Sequence, residues 1–337
     1  MDAATVDLGV LSAWMDSQGL GEGPIEDAVA LAGGTQNLLL RFNRAGRTYV
    51  LRRPPAHLRG NSNETMRRES RMLAALAGTP VPHPGLIAAC PDETVIGAAF
   101  YLMEPINGFN PTTGLPPFHT TKDVQHRMGL ALVEGIAALG ALDYRELGLS
   151  DFGKTENYLG RQVPRWKAQL DSYAEHDGWS GPAGIPGVDK VAAWLVANQP
   201  GDFQPGIIHG DYHLANVMYR HDSAELAAIV DWELTTVGDP LLDLGWLLAT
   251  WPQPEITNHG VSVQPWVGFP TAKELVEHYR PRSTRNVDAI NWYAVLACYK
   301  LGIILEGTHA RACAGRAPKE TGDRLHDHTV SLFERAL

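Results

Sequence analysis

Residues 5 to 19 carry apolar side chains at helical spacing and stop at Gly19, which predicts an opening helix. A short extended stretch follows, and then "LAGGTQNLLLRFN" and "GRTYVLRR" meet across a Gly-containing turn, the pattern of a β-hairpin. Pro54 and Pro55 end its second strand. In "NETMRRESRMLAAL" the apolar residues Met66, Met72, Leu73 and Leu76 recur near helical spacing, giving a helix of about four turns. The Pro- and Gly-rich "TPVPHPGLIAACPDETVIGAAFYLMEPINGF" encloses two short apolar runs, which read as two more strands and a connector at 106–108.

From about residue 121 the period becomes helical. Helices are predicted at 121–142, 187–198, 239–251, 271–280, 285–306 and 320–336, with short strands at 217–220 and 226–230. Asp239-Pro240 is a start signal, since Asp caps and Pro suits the first helical position. The Gly- and Pro-rich loops at 107–120, 177–186 and 252–268 are of the length expected of lids or binding loops. The expected fold class is α+β with two lobes: a small β-rich lobe over residues 1–106 and a larger helical lobe over 107–337, with a cleft between them.

Composition narrows the function. A chain of 337 residues exceeds what one compact core usually holds, in keeping with two lobes. The net charge of −10 argues against a general nucleic-acid binder, which needs surplus Lys and Arg. Cys90, Cys298 and Cys313 are far apart and odd in number, so neither a disulfide framework nor a thiolate zinc site is expected. The acidic opening "MDAATVDLGV" has no signal-peptide pattern, and no apolar run approaches the roughly 20 residues of a membrane span. A cytoplasmic protein without membrane or nucleic-acid partners is expected, with a homodimer left open.

The chemistry concentrates in "IIHGDYHLANVMY", residues 207–219. His209, Asp211 and His213 could converge on a metal, or Asp and Asn could bond local backbone in a structural turn. The third reading is catalytic: a carboxylate that accepts a hydroxyl proton, and an amide five residues later that holds a cation. Downstream, "LAAIVDWELTTVGDPLLDLG" ends a β-branched run on Asp231 and so supplies a second carboxylate from a strand end. These are the parts that phosphoryl transfer from ATP requires.

"HGDYHLAN", "IVDWE" and "GDPLLDLG" together resemble the aminoglycoside phosphotransferase and choline kinase-like branch of the protein-kinase fold, whose pattern is H-G-D-x-H-x-x-N, then I-D-W/F-E, then G-D-P-x-x-D-L. The likeness in lobe order extends over about residues 25 to 310. It implies a bilobal kinase-like fold, ATP (or GTP) and Mg²⁺ as cofactors, and a small-molecule hydroxyl as acceptor. It further implies Asp211 as catalytic base and Asn216 and Asp231 as Mg²⁺ ligands. His209 and Asp243 would brace the loop, His209 by packing beneath it and Asp243 by accepting backbone hydrogen bonds from the next helix.

In the small lobe the resemblance is looser. Where kinases carry a strand lysine this chain has Arg52, with Val50 two residues earlier on the same strand face and Glu69 of "MRRESRML" as the expected partner. In place of the kinase G-x-G-x-x-G, "AGGTQN" offers Gly33, Gly34, Thr35 and Asn37 for the phosphates. "FYLMEPINGF" matches the interlobe linker: Met103 would line the adenine pocket, and backbone groups from Glu104 to Ile106 would bond its edge, Pro105 having no amide to give.

For the acceptor, "NWYAVLACYKLGIILEGTHARACAGRA" carries Lys300, Glu306, His309, Arg311 and Arg316, a mixed-to-basic set that disfavours a polycationic antibiotic. "YVLRRPP", "RRES" and "LEGTHARA" more closely resemble the phosphotransferases related to the kinase domain of acyl-CoA dehydrogenase fusions. That subgroup implies a hydroxyacyl acceptor or its CoA thioester. An aminoglycoside-type kinase, a nucleotide-binding pseudokinase scaffold and a metal-dependent hydrolase on His209, Asp211 and His213 are the alternatives. Trp232, Trp246 and Trp251 are expected in the core of the larger lobe, with one of them free to border the acceptor.

Overall fold

The computed structural model describes residues 6–31, 37–55, 60–201, 203–252 and 261–337. The chain divides into two compact units: Met1–Phe109 with Ala227–Thr235, and Asn110–Leu226 with Thr236–Leu337. Among the described residues no helix is long and apolar enough to cross a membrane.

The first unit opens with α1 (Leu8–Ser17), whose first turn is capped by the Asp7 carboxylate accepting from the Gly9 and Val10 amides. Strands β1 (Glu26–Ala30), β2 (Leu38–Arg44) and β3 (Arg47–Arg53) follow, then α2 (Ser62–Leu76), β4 (Leu86–Cys90) and β5 (Phe100–Met103). The five strands form one antiparallel sheet in the order β1-β2-β3-β5-β4. The predicted hairpin is β2–β3, paired up to Arg44 opposite Arg47. Its two-residue turn is Ala45-Gly46, both at positive φ (48° and 73°), a geometry glycine adopts freely and alanine does not.

Strand alternation assigns the two sheet faces different work. Leu38, Leu40, Phe42, Tyr49, Leu51, Phe100 and Leu102 pack with Leu11 and Met15 of α1 as the core of this unit. Val50 and Arg52 point the other way. They lie opposite Met103 and Tyr101 on β5.

In the second unit the helices are α3 (Lys122–Ala141), α4 (Gln162–Ser172), α5 (Val188–Ala197), α6 (Leu241–Thr250), α7 (Ala272–Tyr279), α8 (Ile290–Cys313) and α9 (Lys319–Ala336). Four short strands lie among them in the chain: β6 (Gly206–Ile208), β7 (Val217–Tyr219), β8 (Leu226–Ile229) and β9 (Thr236–Gly238). β6 and β9 pair antiparallel, Gly206 with Gly238 and Ile208 with Thr236, and β6 delivers the chain to His209. Helices α6 and α8 meet backbone to backbone. A Cβ on Gly245 would stand 2.6 Å from the Tyr293 carbonyl carbon, so only glycine permits this approach.

The predicted helix over 285–306 forms five residues later and runs seven residues further. Asn286 Oδ1 accepts the Asp288 amide (2.9 Å), a local turn that competes with helix, and Arg285 is tied to the Gly140 carbonyl (2.7 Å). At the far end Gly315 takes φ +70°, and the Arg316 amide returns to the Arg311 carbonyl (2.8 Å), a Schellman stop. Helix α4 had not been expected. Pro164 falls in its first turn, where a missing N–H costs nothing.

Candidate active site

The loop after β6 is built around Asp243 of α6. Its fully buried carboxylate accepts the backbone amides of His209 (2.7 Å, Oδ2) and Gly210 (2.9 Å, Oδ1), fixing the loop just before Asp211. Gly210 sits at φ +87°, a conformation that turns the chain sharply at this point. Beneath it His209 is fully buried, with its ring edge-on to Tyr212 (5.8 Å). The Tyr212 hydroxyl donates to the Leu132 carbonyl of α3 (2.8 Å), which anchors the loop from its other end.

Asp211 is surrounded by donors. Asn216 Nδ2 donates to its carboxylate (3.0 Å) and to its carbonyl (2.9 Å), and the Trp246 indole donates to Oδ1 (2.9 Å). His213 Nε2 stands 3.3 Å from Oδ1, while its Nδ1 accepts the Ala215 amide, so the neutral ring carries its proton on Nε2 and donates to Asp211. Burial alone would raise this carboxyl. The hydrogen bond from His213, with the Lys300 cation nearby, outweighs it and holds the group at about 2.

Lys300 belongs to the same cluster. Its Nζ donates to the Gly210 carbonyl (3.1 Å) and lies over the Trp246 ring, 4.2 Å from the centroid, with Trp166 at 5.6 Å. Burial pushes it down to about 8, against the pull of Asp211 and Asp243. It faces the loop rather than open solvent, whereas Arg311 and Arg316 of the same sequence stretch are exposed. The sequence singled out Lys300 without placing it beside Asp211, and it gave Trp246 no such role. The signal is spatial: the Gly245–Tyr293 approach brings Trp246 to Lys300, seven residues and two helical turns beyond Tyr293.

In the first unit two predicted carboxylates, Glu69 and Asp231, meet the Arg52 cation. Arg52 makes a 2.8 Å ion pair with Glu69 and a 2.6 Å ion pair with Asp231. The Tyr101 hydroxyl donates to the same Glu69 oxygen, Oε2 (2.7 Å), as the cross-strand pairing of Arg52 with Tyr101 allows. Glu69 is 1% exposed, so it stands apart from the solvated Arg67 pairs on the same helix. Burial raises Glu69 to about 7 against the opposing effects of Arg52 and Tyr101, and Arg52, amid this excess of acidic groups, is held firmly charged. Asp231 is left-handed (φ +66°, ψ 63°), a strained geometry that tends to mark functional positions. Asn37 reaches Glu233, two residues on, at 3.4 Å.

Met103 pairs with Val50 on the same face. The Glu104 side chain turns to Arg47 (3.1 Å) and its amide donates to the Gly85 carbonyl (2.8 Å). With no amide on Pro105, Ile106 is left as the backbone donor of that triplet. Gly33, Gly34 and Thr35 lie outside the described residues.

An antiparallel five-stranded sheet with a buried cation on one face, and a helical unit with a carboxylate-bearing loop, define a kinase-like α+β fold. Residues 27–259, more than half of the chain, match the phosphotransferase enzyme family, and the chain belongs to that family. It is 32% identical over 322 residues to acyl-CoA dehydrogenase family member 11 of Gallus gallus, covering 90% of this chain and 39% of that protein. It is 28% identical over 312 residues to family member 10 of Mus musculus, covering 90% and 28%. The chain thus spans about two fifths or less of these relatives' length. Among solved structures, a presumptive aminoglycoside phosphotransferase of Ralstonia eutropha is similar at a TM-score of 0.83 and 29% identity, with 98% of each chain covered. The GDP complex of aminoglycoside 2′-phosphotransferase-IIIa shares the fold at a TM-score of 0.63 and 15% identity, covering 96% of this chain and 99% of that one.

Proposed function

We propose that the protein moves the γ-phosphoryl group of Mg·ATP to the hydroxyl of a small anionic molecule, a hydroxy acid or its acyl thioester, with Asp211 as base. The observation that carries this reading is the donor-lined Asp211 carboxylate beside the half-buried cation Lys300. The acceptor oxygen forms a bond to the γ-phosphorus, the bond to the β-phosphate oxygen breaks, and the hydroxyl proton passes to Asp211. A carboxyl held at about 2 is a weak base, so its first task is to orient the hydroxyl, and it takes the proton late, as a loose phosphoryl transition state permits.

Asn216 and Asp231 would hold Mg²⁺, which when bound neutralises phosphate charge. Their donor set suits it: a carboxylate, and an amide oxygen oriented because the amide nitrogen is engaged by Asp211. Arg52, kept charged and braced by Glu69 and Tyr101, would contact the phosphates as a planar fork, where most kinases use lysine. His209 and Asp243 keep the loop in place. Asn37, Met103, Glu104, Ile106 and the Gly33–Thr35 stretch would complete nucleotide binding. GTP is the competing nucleotide.

The anionic acceptor is supported by Lys300 and by the names of the relatives, acyl-CoA dehydrogenase family members 11 and 10. The test is mass spectrometry of products after incubation with Mg·ATP and hydroxyacyl-CoAs, free hydroxy acids, choline, sugars and aminoglycosides, with Asp211→Asn as control. A phosphorylated hydroxyacyl product absent from the control is expected. Phosphorylation of an aminoglycoside instead would overturn the acceptor, and Mg·ATP binding with no product would favour a nucleotide-binding scaffold.

A further inference from the structure

A second cluster, with no part in the phosphoryl transfer proposed above, lies between α8 and α9. Glu306 and His309 are three residues apart on α8 and share a face. Gly322 on α9 packs so closely on α8 that a Cβ there would stand 2.4 Å from the Ala312 Cβ, and His326 follows one turn later on the same face. The donor atoms of Glu306, His309 and His326 all lie within 4.8 Å of one another.

Glu306 is fully buried. One of its oxygens accepts the Trp179 indole N–H (2.7 Å), which fixes the carboxylate's orientation, and the other meets His326 Nδ1 at 2.8 Å. A carboxylate this dry needs a positive partner. His326 supplies one only while protonated, and its ring stacks on His309 with centroids 4.4 Å apart, so a charge on both rings would be repulsive. His309 Nδ1 is itself buried with no hydrogen-bond partner; Asp323 comes no nearer to it than 3.9 Å. A proton satisfies one contact of this cluster. A dication satisfies all three.

We infer that Glu306, His309 and His326 form a binding site for a divalent transition metal of the Zn²⁺ type, which staples α8 to α9. Two imidazoles and a carboxylate are the ligands such ions prefer over Mg²⁺ or Ca²⁺, and the indole on Glu306 is the outer-sphere support such sites carry. Donors on a tetrahedral ion at about 2.0–2.2 Å lie roughly 3.4 Å apart, so closure takes side-chain rotations of about an ångström.

The test uses the whole chain, stripped by chelator and dialysed, and titrated with Zn²⁺ by calorimetry and with Co²⁺ by visible absorption, with no nucleotide present. One equivalent is expected to bind, with tetrahedral Co²⁺ bands and a higher melting temperature. Glu306→Gln, which keeps a group for Trp179 to bond, and His326→Gln should each weaken that equivalent by at least about tenfold while leaving the circular dichroism of the stripped protein unchanged. Asp211→Asn, outside the cluster, should bind as the parent does. No bound equivalent in the parent, or the same stoichiometry and affinity in the parent and both cluster variants, would overturn the site. Because metal binding is read directly, this result is independent of whether the phosphotransferase proposal holds.

Discussion

The Asp211 loop and the Arg52 cluster answer the same problem, a charge away from bulk water, in opposite ways. Around Asp211 one carboxylate is met by the Trp246 indole, the Asn216 amide, His213 and the nearby Lys300, so that donors outnumber the anion. Around Arg52 one guanidinium is met by Glu69 and Asp231, with Glu233 two residues further on, so that anions outnumber the cation. The first arrangement stabilises a carboxylate in its charged form. The second holds acidic groups in excess of the available cations, an environment suited to taking up a further cation.

The largest effect should come from removing the Asp211 charge while keeping its shape. Asp211→Asn is expected to lower turnover about 10²–10⁴-fold with nucleotide affinity little changed, measured by steady-state kinetics and nucleotide titration. Unchanged turnover would remove Asp211 from the base role. In the other cluster the loss should appear in stability instead. Arg52→Met strands Glu69 at 1% exposure without its cation and should cost about 3–5 kcal/mol in denaturant unfolding. Arg52→Met with Glu69→Leu should recover most of that, since the stranded charge is gone. If the double variant is no more stable than the single one, the pair is not what sets the stability of this face.

A smaller effect separates charge from fork geometry. Arg52→Lys keeps the cation but cannot make separate contacts to Glu69 and Asp231 with a planar group. A several-fold rise in the KM for ATP at near-normal stability is expected. Normal kinetics would show that this position asks only for positive charge.

The two clusters were unequally legible in the sequence, and the reason is contact distance along the chain. His209, Asp211, His213 and Asn216 lie within eight residues and bond one another, so their spacing alone brings them together. Asp243 was legible too, through its own motif and the expectation of backbone hydrogen bonds. Arg52 meets Asp231 across 179 positions, and that pairing was not expected, since likeness to a family gave Arg52 only Glu69 as its partner. Trp246 and Lys300 were named without their role, because it depends on how closely α6 and α8 approach at Gly245. Periodicity failed at the ends of α8. That helix buries residues from Ile290 to Ala310 on most of its circumference, so no polar stripe marks where it begins or stops.

Lys300 gives the finest test of the difference between the clusters, because it is the donor-side cation that can lose its charge near neutral pH. Its ammonium is pushed down to about 8 in the folded protein, while an unfolded chain keeps a lysine near 10.5. Between those values the unfolded chain binds more protons, so this residue's unfavourable contribution to stability is present below about pH 8 and fades as pH rises. Acceptor binding should run the other way. If the Lys300 cation holds an acceptor anion, the acceptor KM rises as pH climbs through about 8, while the KM for ATP stays flat. Lys300→Met should start from the high KM and show no such dependence. A parent enzyme whose acceptor KM is flat from pH 7 to 9 would leave Lys300 as support for the Gly210 carbonyl alone, and the case for an anionic acceptor would then rest on the relatives.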